Sequence, residues 1–268
     1  MLLSIPFLLP LAWMISTSLK TDAQIFPSTE HTSSRKGMNI LIPNPVRLRN
    51  YPEAMRMVPF GTYLQNTIFL CSVTVFGAVL SSAFVAYGFS RTNFKGKKIL
   101  FILMLSTLML PYHVTMIPNF ILFQKLKWFG TYLPLTVPAF LGIPFYIFLM
   151  TQFFRTIPQE LTEAARIDGC GEIRIFFTMI LPLSVPVLAT CALFQFIGTW
   201  NDFLGPLIYI NDPSKYTLAY GLQQFLGAYG GKWAQLMAGS TVFTLPIIIL
   251  FFLAQKTFIQ GIATTGGK

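Results

Sequence analysis

The sequence predicts an all-α integral membrane protein with six transmembrane helices, and three observations carry that reading. Hydrophobic residues make up 54% of the 268 residues and charged residues only 10%, where a soluble domain carries about 25% charged residues. Six apolar runs have the length a bilayer demands, about 20 residues each. Within those runs the only Asp, Glu, Lys or Arg is Asp202. The longest polar stretch, Lys20 to Gly61, is interrupted by Pro27, Pro43, Pro45, Pro52 and Pro59 and is too short for a further soluble domain. Residues 1–268 are therefore read as a single transmembrane domain.

The first run, residues 2–19, lacks the positive leading segment of a signal peptide and reads as a retained span. The second, 62–89, contains Gly77-Ala78-Val79-Leu80-Ser81-Ser82, small residues that let membrane helices approach closely. The third and fourth cover 99–123 and 132–154, and the fifth and sixth 185–204 and 236–254. Pro6, Pro10, Pro111, Pro118, Pro138, Pro144, Pro186 and Pro246 fall in these runs. Each removes a backbone donor, so kinked helices are expected. No inverted internal repeat of the kind common in secondary transporters is visible. Six spans place both termini on one side. The short loop holding Arg91, Lys95, Lys97 and Lys98 carries four cations and no acid, which favours cytoplasmic termini.

Lys and Arg number 19 against 9 Asp and Glu, a net charge of +10. No basic stripe with interleaved aromatics accompanies it, so the excess points to anionic membrane lipid and not to nucleic acid. Cys71, Cys170 and Cys191 have no metal-type spacing, and no set of residues suggests a metal or catalytic site.

The segment 155–183 differs from the other loops. Pro158 suits the start of a short exposed helix, and Glu160 and Glu163 lie towards its positive N-terminal end. Leu161, Ala164 and Ala165 share a face at helical spacing, where small residues would admit another protein's surface. Gly169 and Gly171 supply a stop. A second short helix from about Glu172 leads through Leu181-Pro182 into the fifth span.

This stretch resembles the EAA loop of ABC importer permeases. Glu163, Ala164, Ala165, Gly169, Leu181 and Pro182 match the family pattern at the correct spacing, with Met179 where Ile is usual. Further stretches resemble the carbohydrate branch, the second permease of maltose-type importers. They include Leu110-Pro111, Ile117-Pro118, Ile167-Asp168-Gly169, Trp200-Asn201-Asp202-Phe203 and Gln255-Lys256-Thr257-Phe258. Family members usually carry a cytoplasmic stretch before the first span, whereas this sequence opens directly on apolar residues.

The resemblance implies a type I permease bundle in a bacterial or archaeal cytoplasmic membrane, half of a heterodimer with a second permease subunit. It further implies an ATPase dimer and an extracytoplasmic substrate-binding protein as partners, and sugar import by alternating access. No Gly-rich loop ending in Gly-Lys-Ser/Thr is present, so ATP and Mg²⁺ are expected on the separate ATPase and the chain itself is not read as an enzyme. Glu160, Glu163, Ala164, Ala165, Asp168 and Gly169 are the expected ATPase-coupling residues. The loop holding Gln223, Tyr229, Gly230, Gly231 and Trp233 is either the contact for the binding protein or a passive connector.

His113 and Asn119 in the third run and Asn201 and Asp202 near the end of the fifth are candidate pathway residues. A structural histidine and a helix-end cap are the plainer alternatives for His113 and Asp202. Trp200, Trp233, Tyr132 and Tyr209 read as an interfacial belt. A proton- or sodium-coupled transporter would need buried acids or histidine relays, and the runs offer only Asp202 and His113. The outer segments hold Lys20, Arg35, Lys36, Arg47, Arg49, Arg56, Lys125, Lys127, Lys215 and Lys232 against Asp22, Glu30, Glu53 and Asp212. That basic excess would favour an acidic (uronate) oligosaccharide; paired with lipid headgroups instead, it leaves a neutral sugar.

Overall fold

The computed structural model describes residues 5–26, 42–227 and 231–265, and the regular elements among them are helices. In chain order they begin with α1 (Ile5–Ser18), α2 (Asp22–Ile25), α3 (Asn50–Met57), α4 (Phe60–Arg91) and α5 (Lys97–Ser106). Next come α6 (Tyr112–Lys125), α7 (Leu133–Thr136), α8 (Pro144–Thr156), α9 (Gln159–Ile167) and α10 (Glu172–Ile175). The last are α11 (Leu181–Leu183), α12 (Val185–Trp200), α13 (Leu204–Tyr209), α14 (Leu218–Gly227) and α15 (Trp233–Thr265).

Among the described residues, three helices are long and apolar enough to cross a bilayer: α4, the run Leu133–Thr156, and Trp233–Leu253 of α15. Two further spans form as bent pairs, Lys97–Met109 with α6 at 98° and Glu172–Leu183 with α12 at 81°. The shorter apolar stretch Pro6–Ser18 completes a set compatible with six spans. Proline placement explains the differences from the sequence reading. Pro111 is the N-cap of α6, and Pro144 and Pro186 occupy the first positions of α8 and α12. There the missing N–H is unneeded and the fixed φ suits a helix start. The third run is therefore broken and not simply kinked. The fifth helix stops at Trp200, leaving Asn201 and Asp202 beyond it. The sixth begins at Trp233, which is a helix residue and not a loop residue.

The chain divides into two compact units, Met1–Thr67 with Pro213–Ile249 and Ile68–Asp212 with Leu250–Lys268. In the first, side chains satisfy helix ends. The buried Asn50 amide donates to the carbonyls of Ser18 and Lys20 at 2.8 and 2.7 Å, closing the C-terminus of α1. The Asp22 carboxylate accepts from the Ala234 backbone N–H at 3.1 Å, a negative charge at the N-terminus of α15. Asn66 donates to the carbonyls of Ser214 and Tyr216, and the Thr67 hydroxyl accepts from the Leu218 N–H at 2.9 Å. The Gln235 amide, with Arg47 and Arg49, holds the Glu53 carboxyl below the usual carboxylate range.

In the second unit, α4 contributes fully buried Ala78, Ala83 and Ala86 to a core shared with Met150 and Phe154 of α8 and Cys191 of α12. Small residues allow this close approach between helices. The fourth span breaks at Gly142 (φ +85°), and serines of α4 satisfy the backbone freed there. The Ser82 hydroxyl accepts from the Ile143 N–H at 3.0 Å, and Ser81 donates to the Ala139 carbonyl at 3.2 Å. Without such partners the broken helix would leave polar groups stranded in hydrocarbon.

Candidate functional site

The segment between α8 and α12 forms a compact platform built on α9. This helix begins at Gln159, with Pro158 as its N-cap (φ −53°, ψ 136°). Glu160 lies in its first turn, whereas Glu163 falls in the second, further from the helix end than the sequence suggested. At the other end Gly169 adopts φ +79°. Its N–H donates to the Arg166 carbonyl at 3.0 Å, and the Cys170 N–H to the Ala165 carbonyl at 2.9 Å. These two bonds make a Schellman cap, which satisfies carbonyls the helix would otherwise leave open. A Cβ at Gly169 would meet nothing within 4 Å, so the demand for glycine there is purely conformational. Gly171 plays a different part from the one expected: at φ −71° it is the N-cap of α10.

The helix has two distinct sides. Thr162 and Ala165 are buried against the unit's own core, with Ile157, Ile175 and Phe176 nearby in the same platform. Ala165 therefore does not share an outward face with Leu161 and Ala164, because its position turns it towards the bundle. Glu160, Leu161, Glu163, Ala164, Ile167, Asp168 and Gly169 are all exposed, and Ile167 is 87% and Ile173 72% accessible. Both are large aliphatic side chains left uncovered by the rest of the chain.

Four residues outside the expected coupling set hold this platform in place. Arg91, at the end of α4, donates from its guanidinium to the carbonyls of Phe154 and Ile157, both at 2.5 Å, and of Pro158 at 3.5 Å. A cation thereby meets the negative C-terminal end of α8. Arg166 pairs with Glu172 at 2.7 Å and donates to the Arg91 carbonyl at 3.4 Å. The Tyr87 hydroxyl donates to the other Glu172 oxygen at 2.5 Å. Arg91 was legible only as a topological charge. The available signal was the spacing: Tyr87 four residues before Arg91, and Glu172 six residues after Arg166 across the glycine turn.

After α10 the backbone makes one π-helical turn, Phe176–Ile180, and then breaks at Ser184. Phe176 stacks on Phe84 with centroids 4.3 Å apart and meets Tyr87 edge-on at 5.4 Å. Aromatic packing thus joins the platform to the same turns of α4 that carry its hydrogen bonds.

The remaining site candidates lie elsewhere. His113 is exposed on α6, its ring edge-on to Tyr112 at 6.0 Å, and Asn119 is half-buried on the same helix. The Asn201 amide donates back to the Ile197 carbonyl at 2.8 Å. Asp202 accepts from the Gly205 N–H at 2.9 Å, capping the start of α13. Gln223 is exposed on α14, and Trp233 meets Phe26 edge-on at 5.7 Å. Gly231 has φ +73°. Tyr229 and Gly230 lie outside the described residues. Among the described residues no group of His, Cys, Asp and Glu has metal-binding geometry.

Comparison with known proteins places this architecture. Residues 75–264 match the family model described as the binding-protein-dependent transport system inner membrane component. The probable ABC transporter permease YurM of Bacillus subtilis is 38% identical over 260 residues, covering 97% of this chain and 83% of the relative. AraQ of Halalkalibacterium halodurans, an arabinooligosaccharides transport permease, is 36% identical over 92% of this chain and 88% of its own length. MalG of Thermococcus litoralis, a trehalose/maltose transport permease, is 32% identical over 97% and 91%. In fold, the chain is similar to one from the crystal structure of a bacterial ABC transporter involved in import of the acidic polysaccharide alginate. The TM-score is 0.79 at 23% identity, over 96% of this chain and 92% of that one. A multi-span helical chain with these relatives belongs to the binding-protein-dependent transport system inner membrane components, the membrane permeases of ABC transporters.

Proposed function

We propose that this chain is one half of the pore of an ATP-driven oligosaccharide importer, with all 268 residues working as one permease domain. The observation that carries the proposal is the exposed face of α9, where Leu161, Glu163, Ala164 and Ile167 stand outward from a platform fixed to the bundle. In this reading a separate ATPase dimer, holding ATP and Mg²⁺, docks on that face. Closure of the ATPase dimer displaces the helix and rocks the spans between inward- and outward-open states, so each partner biases the other's equilibrium. A second permease completes the pore, and a binding protein delivers sugar to the loop holding Gln223 and Trp233. The α9 platform and both termini then face the cytoplasm. Cysteines introduced at Lys95 and Lys98 are expected to react with impermeant reagent only from the cytoplasmic side, and those at Arg49 and Lys232 only from outside. The reverse pattern would separate α9 from any source of ATP.

The sugar is proposed to be a neutral oligosaccharide, in keeping with relatives named for arabinooligosaccharides and for trehalose and maltose. One observation favours an acidic ligand as a second reading: the cations Arg47, Arg49, Arg56, Lys125, Lys127 and Lys232 of the outer segments. The assembled importer with its binding protein distinguishes the two. Neutral oligosaccharides are expected to stimulate ATP hydrolysis at both low and high salt. Stimulation by uronate oligosaccharides alone, lost at high salt, would select the acidic reading. Transport that needs no ATPase would remove both in favour of an ion-coupled carrier.

A further inference from the structure

The α9 helix has a break on each side, and both breaks are tied to a single turn of α4. On the near side the backbone is extended at Ile157 and Pro158. There the Arg91 guanidinium gathers the carbonyls of Phe154, Ile157 and Pro158. On the far side lies the Gly169 turn, straddled by Arg166 and Glu172. From these two residues bonds run to the Arg91 carbonyl and the Tyr87 hydroxyl. Tyr87 and Arg91 are four residues apart and share one face of α4. A helix hinged at both ends would otherwise swing freely when pushed.

The two attachments differ in character. Arg91 is buried, whereas the Arg166 and Glu172 side chains are 38% and 46% exposed. An exposed ion pair contributes little by itself. What gives the far attachment its purchase on a membrane span is the buried Tyr87, whose hydroxyl donates to Glu172 while its ring packs on Phe176.

We propose that Tyr87 and Glu172 are positioning residues that fasten the far end of α9 to the second span, so that displacement of α9 moves α4 and is not absorbed in the loop. The inference rests on the reading of α9 as the ATPase-docking helix and goes beyond it by naming the route into the membrane. Neither residue lies on the outward face of α9, so docking and transmission are separable.

The test uses the assembled importer in proteoliposomes and reads two quantities: ATPase co-purified with the permease, and sugar transported per ATP hydrolysed. Tyr87→Phe keeps the ring and its packing while removing the hydroxyl. Glu172→Ala removes the acceptor. Both are expected to retain the ATPase and to lower sugar per ATP roughly fivefold, the effect of one hydrogen bond. The double variant should fall no further than the lower single, because the two share that bond. Glu172→Gln keeps an acceptor for the tyrosine and should restore most of the ratio. Unchanged sugar per ATP in Tyr87→Phe and Glu172→Ala would overturn the proposal. So would a loss of co-purified ATPase in step with transport, which would make the pair part of docking. A wild-type permease that captures no ATPase would remove the docking reading itself, and the proposal with it.

Discussion

Replacing Gly169 with valine is expected to abolish sugar-stimulated ATP hydrolysis in the importer proposed above while leaving membrane insertion intact. The residue sits at φ +79° with open space around its Cα, so valine meets no clash and the whole effect is backbone strain. A β-branched residue held in the left-handed region costs about 2 kcal/mol. That shifts a local equilibrium by about thirtyfold, enough to unwind the cap formed by the N–H groups of Gly169 and Cys170. The last turn of α9 would fray, and Ile167 and Asp168 would lose their fixed position. Asparagine tolerates the left-handed conformation, so Gly169→Asn should keep most of the activity. Equal activity in the valine and asparagine variants would show that the cap geometry is irrelevant to coupling.

Arg91→Leu is expected to produce the largest loss of stability of any single change near the platform. It strips the guanidinium from three carbonyls in a buried setting. The Phe154 carbonyl keeps the Ile157 N–H at 3.3 Å, so the loss falls mainly on the Ile157 carbonyl, at about 2 kcal/mol, and the midpoint of thermal unfolding in detergent should fall by roughly 4–8 °C. Arg91→Lys should recover only part of the loss, because an ammonium on a flexible stem cannot span the carbonyls as a planar fork does. A leucine variant that melts with the wild type would refute the clamp.

Much of this architecture was written in the chain where one physical rule dominates. The apolar runs at 62–89 and 132–154 became α4 and Leu133–Thr156 with shifts of only a few residues, because hydrocarbon permits few alternatives to helix. The stop at Gly169 was equally legible, since few residues other than glycine adopt that backbone. The break in the third run was not, because a proline that kinks a helix and one that starts a new helix look alike in sequence. At the platform, the spacing of Glu163, Ala164 and Ala165 identified the helix but could not tell which alanine turned inward. That choice is made by contacts distant in sequence, such as those of Phe154 and Phe176 in the same core. The grip of Arg91 on backbone carbonyls was invisible for the same reason, since every residue offers a carbonyl and none advertises which will be held.

The break between α5 and α6 has a consequence for hydration. Leu110 and Pro111 are extended (ψ 111° and 143°) between two segments that meet at 98°. Met109 is 84% exposed, and Pro111, Tyr112 and His113 are exposed beside it. Lipid tails offer no hydrogen bonds to an unwound backbone, which at membrane depth survives only against protein or beside water. In the single chain, protein covers neither Met109 nor His113. An unwound corner of this kind, set at membrane depth, calls for water or a protein surface against it.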